Sequence, residues 1–109
     1  MEVVFTYLPP QSTKQARFEW DPDKAAANLA KHGVAFEDAA LVFEDPLHVS
    51  RQDRHEDGEE RWQTLGLAGG VLLLVVAHAF REGGFGEEYI RVISARKATR
   101  RERKHYEHG

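Results

Sequence analysis

The sequence has no cysteine and a single methionine among 109 residues. Without thiols there is no disulfide and no cysteine nucleophile, and a zinc ribbon lacks its usual ligands. Long apolar runs are missing too. The longest, Val71 to Ala77, falls far short of the roughly 20 residues that cross a bilayer. The N-terminus shows no basic segment followed by an apolar block, so a cytoplasmic protein without membrane contact is expected. No G-x-x-x-x-G-K-[ST] phosphate loop occurs, and Gly83-Gly84-Phe85-Gly86 lacks the strand-then-helix context of a nucleotide site and reads as a hairpin loop. The six histidines never form H-E-x-x-H. His105 and His108 are spaced for one helix face, as a metal pair or as part of a solvated tail. Neither a metal nor a cofactor is expected.

What is present suits one folded domain. Hydrophobic residues make up 41% of the chain, enough for a modest core at this length. The formal net charge is −3, which argues against a generic nucleic-acid coat. The charge is unevenly spread, however. Arg91, Arg96, Lys97, Arg100, Arg101, Arg103 and Lys104 stand against Glu102 alone near the C-terminus, while 37–60 is rich in acids. The chain thus has a basic end.

Residues 1–17 read as an extension, with a short strand over Val3 to Leu8 and a loop at Pro9-Pro10; a single domain occupies 18–109. Asp21-Pro22 announces a helix through an N-cap and a first-position proline, and Gly33 closes it as a left-handed C-cap. Its buried stripe is expected at Ala25, Leu29 and His32. A second helix is predicted from Phe36 to Phe43, ended by Asp45-Pro46. The period then changes to that of strands: Leu47 to Gln52, Arg61 to Leu67, Val71 to Ala79 and Tyr89 to Ala95, separated by Asp57-Gly58, Gly69-Gly70 and Gly83-Gly84. Thr99 and Glu102 form a capping box that opens a third helix. The order implies an α+β fold: two N-terminal helices, a four-stranded antiparallel sheet and a C-terminal helix.

The constellation most suited to chemistry is Arg61, His78, Arg91 and Arg96 on neighbouring strands. Guanidiniums offer planar paired donors that match phosphate oxygens and keep their charge at any physiological pH. Metal-free RNA cleavage needs little more than such donors and a proton carrier at each end of the bond. His78 and Glu60 are the candidate carriers. Each also has a plain structural reading, His78 as a satisfied buried histidine and Glu60 as a solvated turn residue. Arg61 and Arg91 could equally pair with Glu87 or Glu88 across strands. Lys24, Lys31, His32, Arg81, Lys97, Arg100, Arg101 and Lys104 are the candidate RNA-binding residues, although a basic helix face often does no more than stay solvated or meet a protein partner. Trp20 is expected to staple the first helix to the sheet, and Trp62 to face away from Arg61.

Several strings are more specific: Phe18-Glu19-Trp20-Asp21-Pro22-x-Lys24, Asn28-Leu29-x-Lys31-His32-Gly33-Val34-x-Phe36, Glu60-Arg61, and Arg91-x-Ile93-Ser94-Ala95-Arg96-Lys97-Ala98-Thr99 with Glu102 and Tyr106. Taken in order they resemble the BrnT family of bacterial toxins, over about Phe18 to Glu107. The resemblance implies a RelE-like fold, metal-independent RNA cleavage that arrests growth, and neutralisation by a BrnA-type ribbon-helix-helix antitoxin. It also implies two toxins assembled with two antitoxins, DNA being contacted only through the antitoxin. By resemblance, Arg61, Arg91 and Arg96 line the active surface, with Lys24, Lys31 and His32 near it. Residues 1–17 and the long loop Glu82 to Glu88 depart from the family pattern. The alternative reading is a non-catalytic module that holds RNA or a protein through the basic C-terminal helix.

Overall fold

The structure is a computed structural model that describes residues 5–7, 17–86 and 88–108, the first three by backbone alone. Strands β1 (Phe5–Tyr7) and β2 (Arg17–Trp20) precede helices α1 (Pro22–His32) and α2 (Phe36–Leu41), the latter running into a 3-10 turn at Val42–Glu44. Strands β3 (Val49–Glu56), β4 (Glu59–Ala68), β5 (Leu72–Glu82) and β6 (Glu88–Lys97) follow, then helix α3 (Arg100–His108). The class is α+β, as the sequence implies.

The turn chemistry explains the meander. Asp57 and Gly58 both have positive φ, 54° and 75°, as a two-residue hairpin turn between right-twisted strands requires. Consecutive strands β3 to β6 pair antiparallel. The sheet itself is larger than the expected four strands. Its order is β1-β2-β6-β5-β4-β3, and β2 runs parallel to β6, Glu19 lying opposite Arg91. A four-residue strand is too short for period-two alternation to reveal, and a parallel partner is reached only through a long crossover, here everything from α1 to β5. Of the predicted strand over Val3 to Leu8, Phe5–Tyr7 pairs antiparallel with β2; the remainder lies outside the described residues, as does the Pro9-Pro10 loop.

Asp21 caps α1 by accepting from the Asp23 amide at 2.8 Å, and Gly33 (φ 70°) ends it. The buried stripe differs from the expectation. Asn28 is buried, whereas Leu29 is 52% exposed. The Asn28 side-chain amide donates to the carbonyls of Ala95 and Val34, and its oxygen accepts from the Ala95 amide. β6 at Ala95 lies beyond the stretch paired with β2, so its backbone needs a polar partner and an aliphatic side chain would leave it unsatisfied. Gly66 answers a different constraint: a Cβ there would sit 2.8 Å from Val42 Cγ1, so only glycine lets the 3-10 turn lie against β4.

Alternation gives the sheet two faces. Phe18, Trp20, Leu74, Val76, Ile90, Val92 and Ala95 meet Phe36, Ala39, Ala40 and Val42 under α1 and α2. Trp20 packs edge-on against Phe36 with ring centroids 5.8 Å apart; it seats the start of α2 as well as the sheet. On the other face Leu65, Leu73 and Val75 form a smaller cluster with Ala98 and Tyr106, so α3 covers one end of that face. The rest is open.

Candidate nucleic-acid interface

The open face can be read from the strand register as successive rows. Arg17, Tyr89 and Arg81 form one row; Glu19, Arg91 and Ala79 the next; Ser94, Ala77, Gln63 and Arg51 a third; Arg96, Val75, Leu65 and Val49 a fourth. Continuing the β4–β5 register sets Glu59 beside Arg81 and Arg61 beside Ala79. Rows rich in arginine thus lie at one end, and an apolar row bordered by α3 at the other. Between them stand Ser94, Ala77 and Gln63, with Arg51 at the outer edge.

The arginines are not equivalent. Arg81 donates twice to Glu19 at 2.8 Å and stacks over the Tyr89 ring, 4.2 Å from its centroid. Glu19 is only 4% exposed. The hydrogen bonds from Arg81 outweigh the burial that opposes ionisation, and the charges of Arg81 and Arg91 add to them, so its carboxyl lies below the usual range. The same bonds push the Arg81 guanidinium up. Arg91 stands 3.9 Å from Glu19 and 3.8 Å from Glu59, too far for hydrogen bonds. Arg61 Nε lies 3.3 Å from Glu59 and has no hydrogen-bond partner among the described residues. Arg61 and Arg91 are therefore held by charge. Arg61 Nε is buried, whereas the Arg91 side chain is 40% exposed and makes no hydrogen bond among the described residues, which is the condition for gripping a phosphate.

Arg96 is on the same side but occupied. It donates twice to Glu102, at 2.8 and 2.9 Å, and those bonds help pull the Glu102 carboxyl down to about 2. The expected capping box is present around it, Thr99 N–H to Glu102 at 2.8 Å and Glu102 N–H to Thr99 at 3.1 Å. The cation holds the start of α3.

The two expected proton carriers lie elsewhere. His78 pairs with Trp62 and Val92 on the helix-covered face and is 0% exposed. Its ring lies between Phe43 and Phe80, edge-on at 4.9 and 5.1 Å, and Nε2 meets the Thr64 hydroxyl at 2.7 Å. Burial, with a smaller contribution from His48, lowers its pKa to about 4. Glu60 alternates with Arg61, so it shares the face of Trp62; the carboxylate among the arginines is Glu59. The run Glu59-Glu60-Arg61 contained that signal, since residues two apart in a strand share a face. The acids expected to pair with the arginines also differ: Glu19 and Glu59 do so, while Glu87 lies outside the described residues.

Lys24, Lys31 and His32 belong to α1, and Lys97 pairs with Leu74; all four lie across the sheet from Arg61. Arg100, Arg101 and Lys104 are exposed on α3, on the arginine side. Between α3 and the sheet runs a groove of about 530 Å³ floored by Val49, Leu65 and Val75 and walled by Arg51, Gln63 and Arg101. Among the described residues no group of three or more His, Asp or Glu is arranged to hold a metal, and no helix is long and apolar enough to cross a membrane.

A family model described as the ribonuclease toxin BrnT of type II toxin-antitoxin systems matches residues 20–102. Among solved structures, the chain is similar to the crystal structure of the Brucella abortus ribonuclease toxin BrnT, at 32% identity and a TM-score of 0.51 over 74% of this chain and 94% of that one. A comparison with curated proteins finds no match.

Proposed function

Because the chain belongs to the BrnT family of ribonuclease toxins of type II toxin-antitoxin systems, we propose that it cuts RNA on the open sheet face, with Arg61 and Arg91 gripping the scissile phosphate. The carrying observation is that these two guanidiniums stand on one face and flank Glu59, with Arg91 40% exposed and making no hydrogen bond among the described residues. Glu59 takes the 2′-hydroxyl proton as the general base. The 2′-oxygen attacks phosphorus, the bond to the 5′-oxygen breaks, and that oxygen is protonated from solvent at the open face. The products are a 2′,3′-cyclic phosphate and a 5′-hydroxyl. Arg61 and Arg91 stabilise the charge that grows on the phosphoryl oxygens, and Glu19 and Tyr89 fix Arg81 beside them. No step requires a metal.

By family, the partner is a BrnA-type ribbon-helix-helix antitoxin that joins two toxins with two antitoxins in the cytoplasm, contacts DNA itself, and relieves the growth arrest. The test is a defined structured RNA incubated in excess EDTA with the wild-type chain and with Arg61→Ala, Arg91→Ala and Glu59→Gln. Cleavage by wild type with cyclic-phosphate ends is expected, and a loss of about 10²–10³-fold for each arginine variant. Cleavage that EDTA abolishes and Mg²⁺ restores would exclude the metal-free route. Undiminished cleavage by both arginine variants would move the site elsewhere. Bound but uncut RNA would favour a non-catalytic module built on α3.

A further inference from the structure

We infer that the groove between α3 and the sheet is a nucleobase pocket that selects a purine flanking the cut. The inference rests on the arginine face being where the RNA backbone lies. It starts from position. Along β4, Arg61, Gln63 and Leu65 share the face, so the groove begins at its Gln63 wall two residues beyond Arg61 and reaches its apolar floor four residues beyond, about 13 Å at the strand rise. A nucleotide unstacked next to a phosphate on Arg61 and Arg91 spans that interval. Ala77 and Ser94 occupy the row between, and their small side chains leave the path open.

The chemistry of the groove fits a base better than a peptide side chain. Its floor is aliphatic, with Val49 46% exposed and the edges of Leu65 and Val75 beside it, a surface suited to the face of an aromatic ring. Its walls carry groups that read a ring edge: the Gln63 amide, with one acceptor and two donors, and the guanidiniums of Arg51 and Arg101. Gln63 is held by exposed contacts, from Arg51 at 3.2 Å and to Asp53 at 3.5 Å, which exchange readily for a ligand. Arginine and glutamine find their two-point partners on purines, at guanine O6/N7 and adenine N6/N7. Sequence-specific RNA recognition acts on such unstacked bases. The volume of about 530 Å³ lies within the usual range of ligand sites, about 300–1,000 Å³.

The pocket is tested by binding, so that its outcome does not depend on cleavage. Short 2′-O-methyl oligoribonucleotides, which cannot be cut through the 2′-oxygen, carry a purine, a pyrimidine or an abasic residue at one flanking position, and affinity is read by fluorescence anisotropy. The purine strand is expected to bind about fivefold or more tightly than the pyrimidine strand, the low end of a two-point base contact. Gln63→Ala and Arg101→Ala bring the ratio towards one. Val49→Trp, at a 46% exposed position on the edge strand, fills the groove without disturbing the core and lowers purine binding to the abasic level. Arg61→Ala and Arg91→Ala weaken all three strands alike. Equal affinity for the three strands, or a purine preference unmoved by Val49→Trp, overturns the pocket. So does a Val49→Trp chain that keeps its base preference yet is no longer neutralised by its antitoxin, which would give the groove to the protein partner. If wild type binds with the expected preference but cuts nothing in EDTA, the pocket stands and the cleavage reading falls.

Discussion

Two buried polar side chains on the helix-covered face, Asn28 and His78, perform different tasks. Asn28 supplies hydrogen bonds that a neighbouring strand would otherwise supply to β6. Asn28→Ala would strand those backbone groups at a cost of about 2–4 kcal/mol, readable from urea unfolding midpoints. His78 is accommodated as a neutral ring, its Nδ1 without a partner among the described residues. Its folded pKa of about 4 lies below the 6.5 of a free histidine. Above pH 6.5 both states are neutral at this residue, and between the two values only the unfolded chain takes up the proton. Stability therefore falls as pH drops from 6.5 to about 4, by about 3 kcal/mol from this residue. His78→Leu should remove that part of the pH slope, because Thr64 keeps its 2.7 Å hydroxyl bond to Ser50. It should also leave cleavage within a few-fold of wild type. Loss of cleavage in a folded His78→Leu chain would return the histidine to the mechanism.

α3 has no fully buried residue, so contacts at its two ends and the packing of half-buried Tyr106 on Leu65, Leu73 and Val75 carry its attachment. At its start are the capping box and the Arg96–Glu102 pair; near its end Tyr106 donates to Asp45 at 2.6 Å. Asp45 also accepts from the Leu47 and Leu67 amides at 2.9 and 2.8 Å. Burial opposes ionisation there, yet the bonds from Leu67, Tyr106 and Leu47 prevail and lower its pKa, while the Tyr106 phenol is pushed up to about 12. Tyr106→Phe should therefore loosen the docked helix. Amide exchange should accelerate in α3 while β4 and β5 stay protected. Equal acceleration throughout the sheet would mean that α3 unfolds only with the whole. The strand ends that the sequence reading set a few residues short show why boundaries are hard to read: β5 continues through Phe80, Arg81 and Glu82, where pairing with β6 sustains strand geometry that exposed charged residues do not advertise.

Across the whole molecule, arginines gather on the open side of the sheet, with Glu19 and Glu59 among them. Arg17, Arg61, Arg81 and Arg91 share the open face, and alternation sets Glu60, Glu82 and Glu88 on the opposite one. A chain of net charge −3 can thus attract a polyanion from one side. For single-stranded RNA each neutralised phosphate adds about 0.7 to the slope of log affinity against log salt. The double variant Arg61→Ala/Arg91→Ala should therefore lose about 1.4 from that slope. Lys24→Ala/Lys31→Ala, on α1 behind the sheet, should change it little. A larger loss from the lysine pair would mean that RNA wraps the helical side.

Local chemistry determined much of this in advance. The caps at Asp21 and Gly33, the Asp57-Gly58 turn, the Thr99–Glu102 box and the separation of Trp62 from Arg61 depend on residues near in sequence, and the ordered strings of the family lie in the chain itself. What only the tertiary structure decided rests on pairing between distant segments. The parallel insertion of β2 beside β6 brings Glu19 to Arg81 and Arg91 across more than sixty positions, and no periodicity within one segment encodes that neighbour. The same pairing of distant strands assigns each side chain its face, burying His78 beneath the helices and leaving Arg61, Arg91 and Glu59 together on the open side.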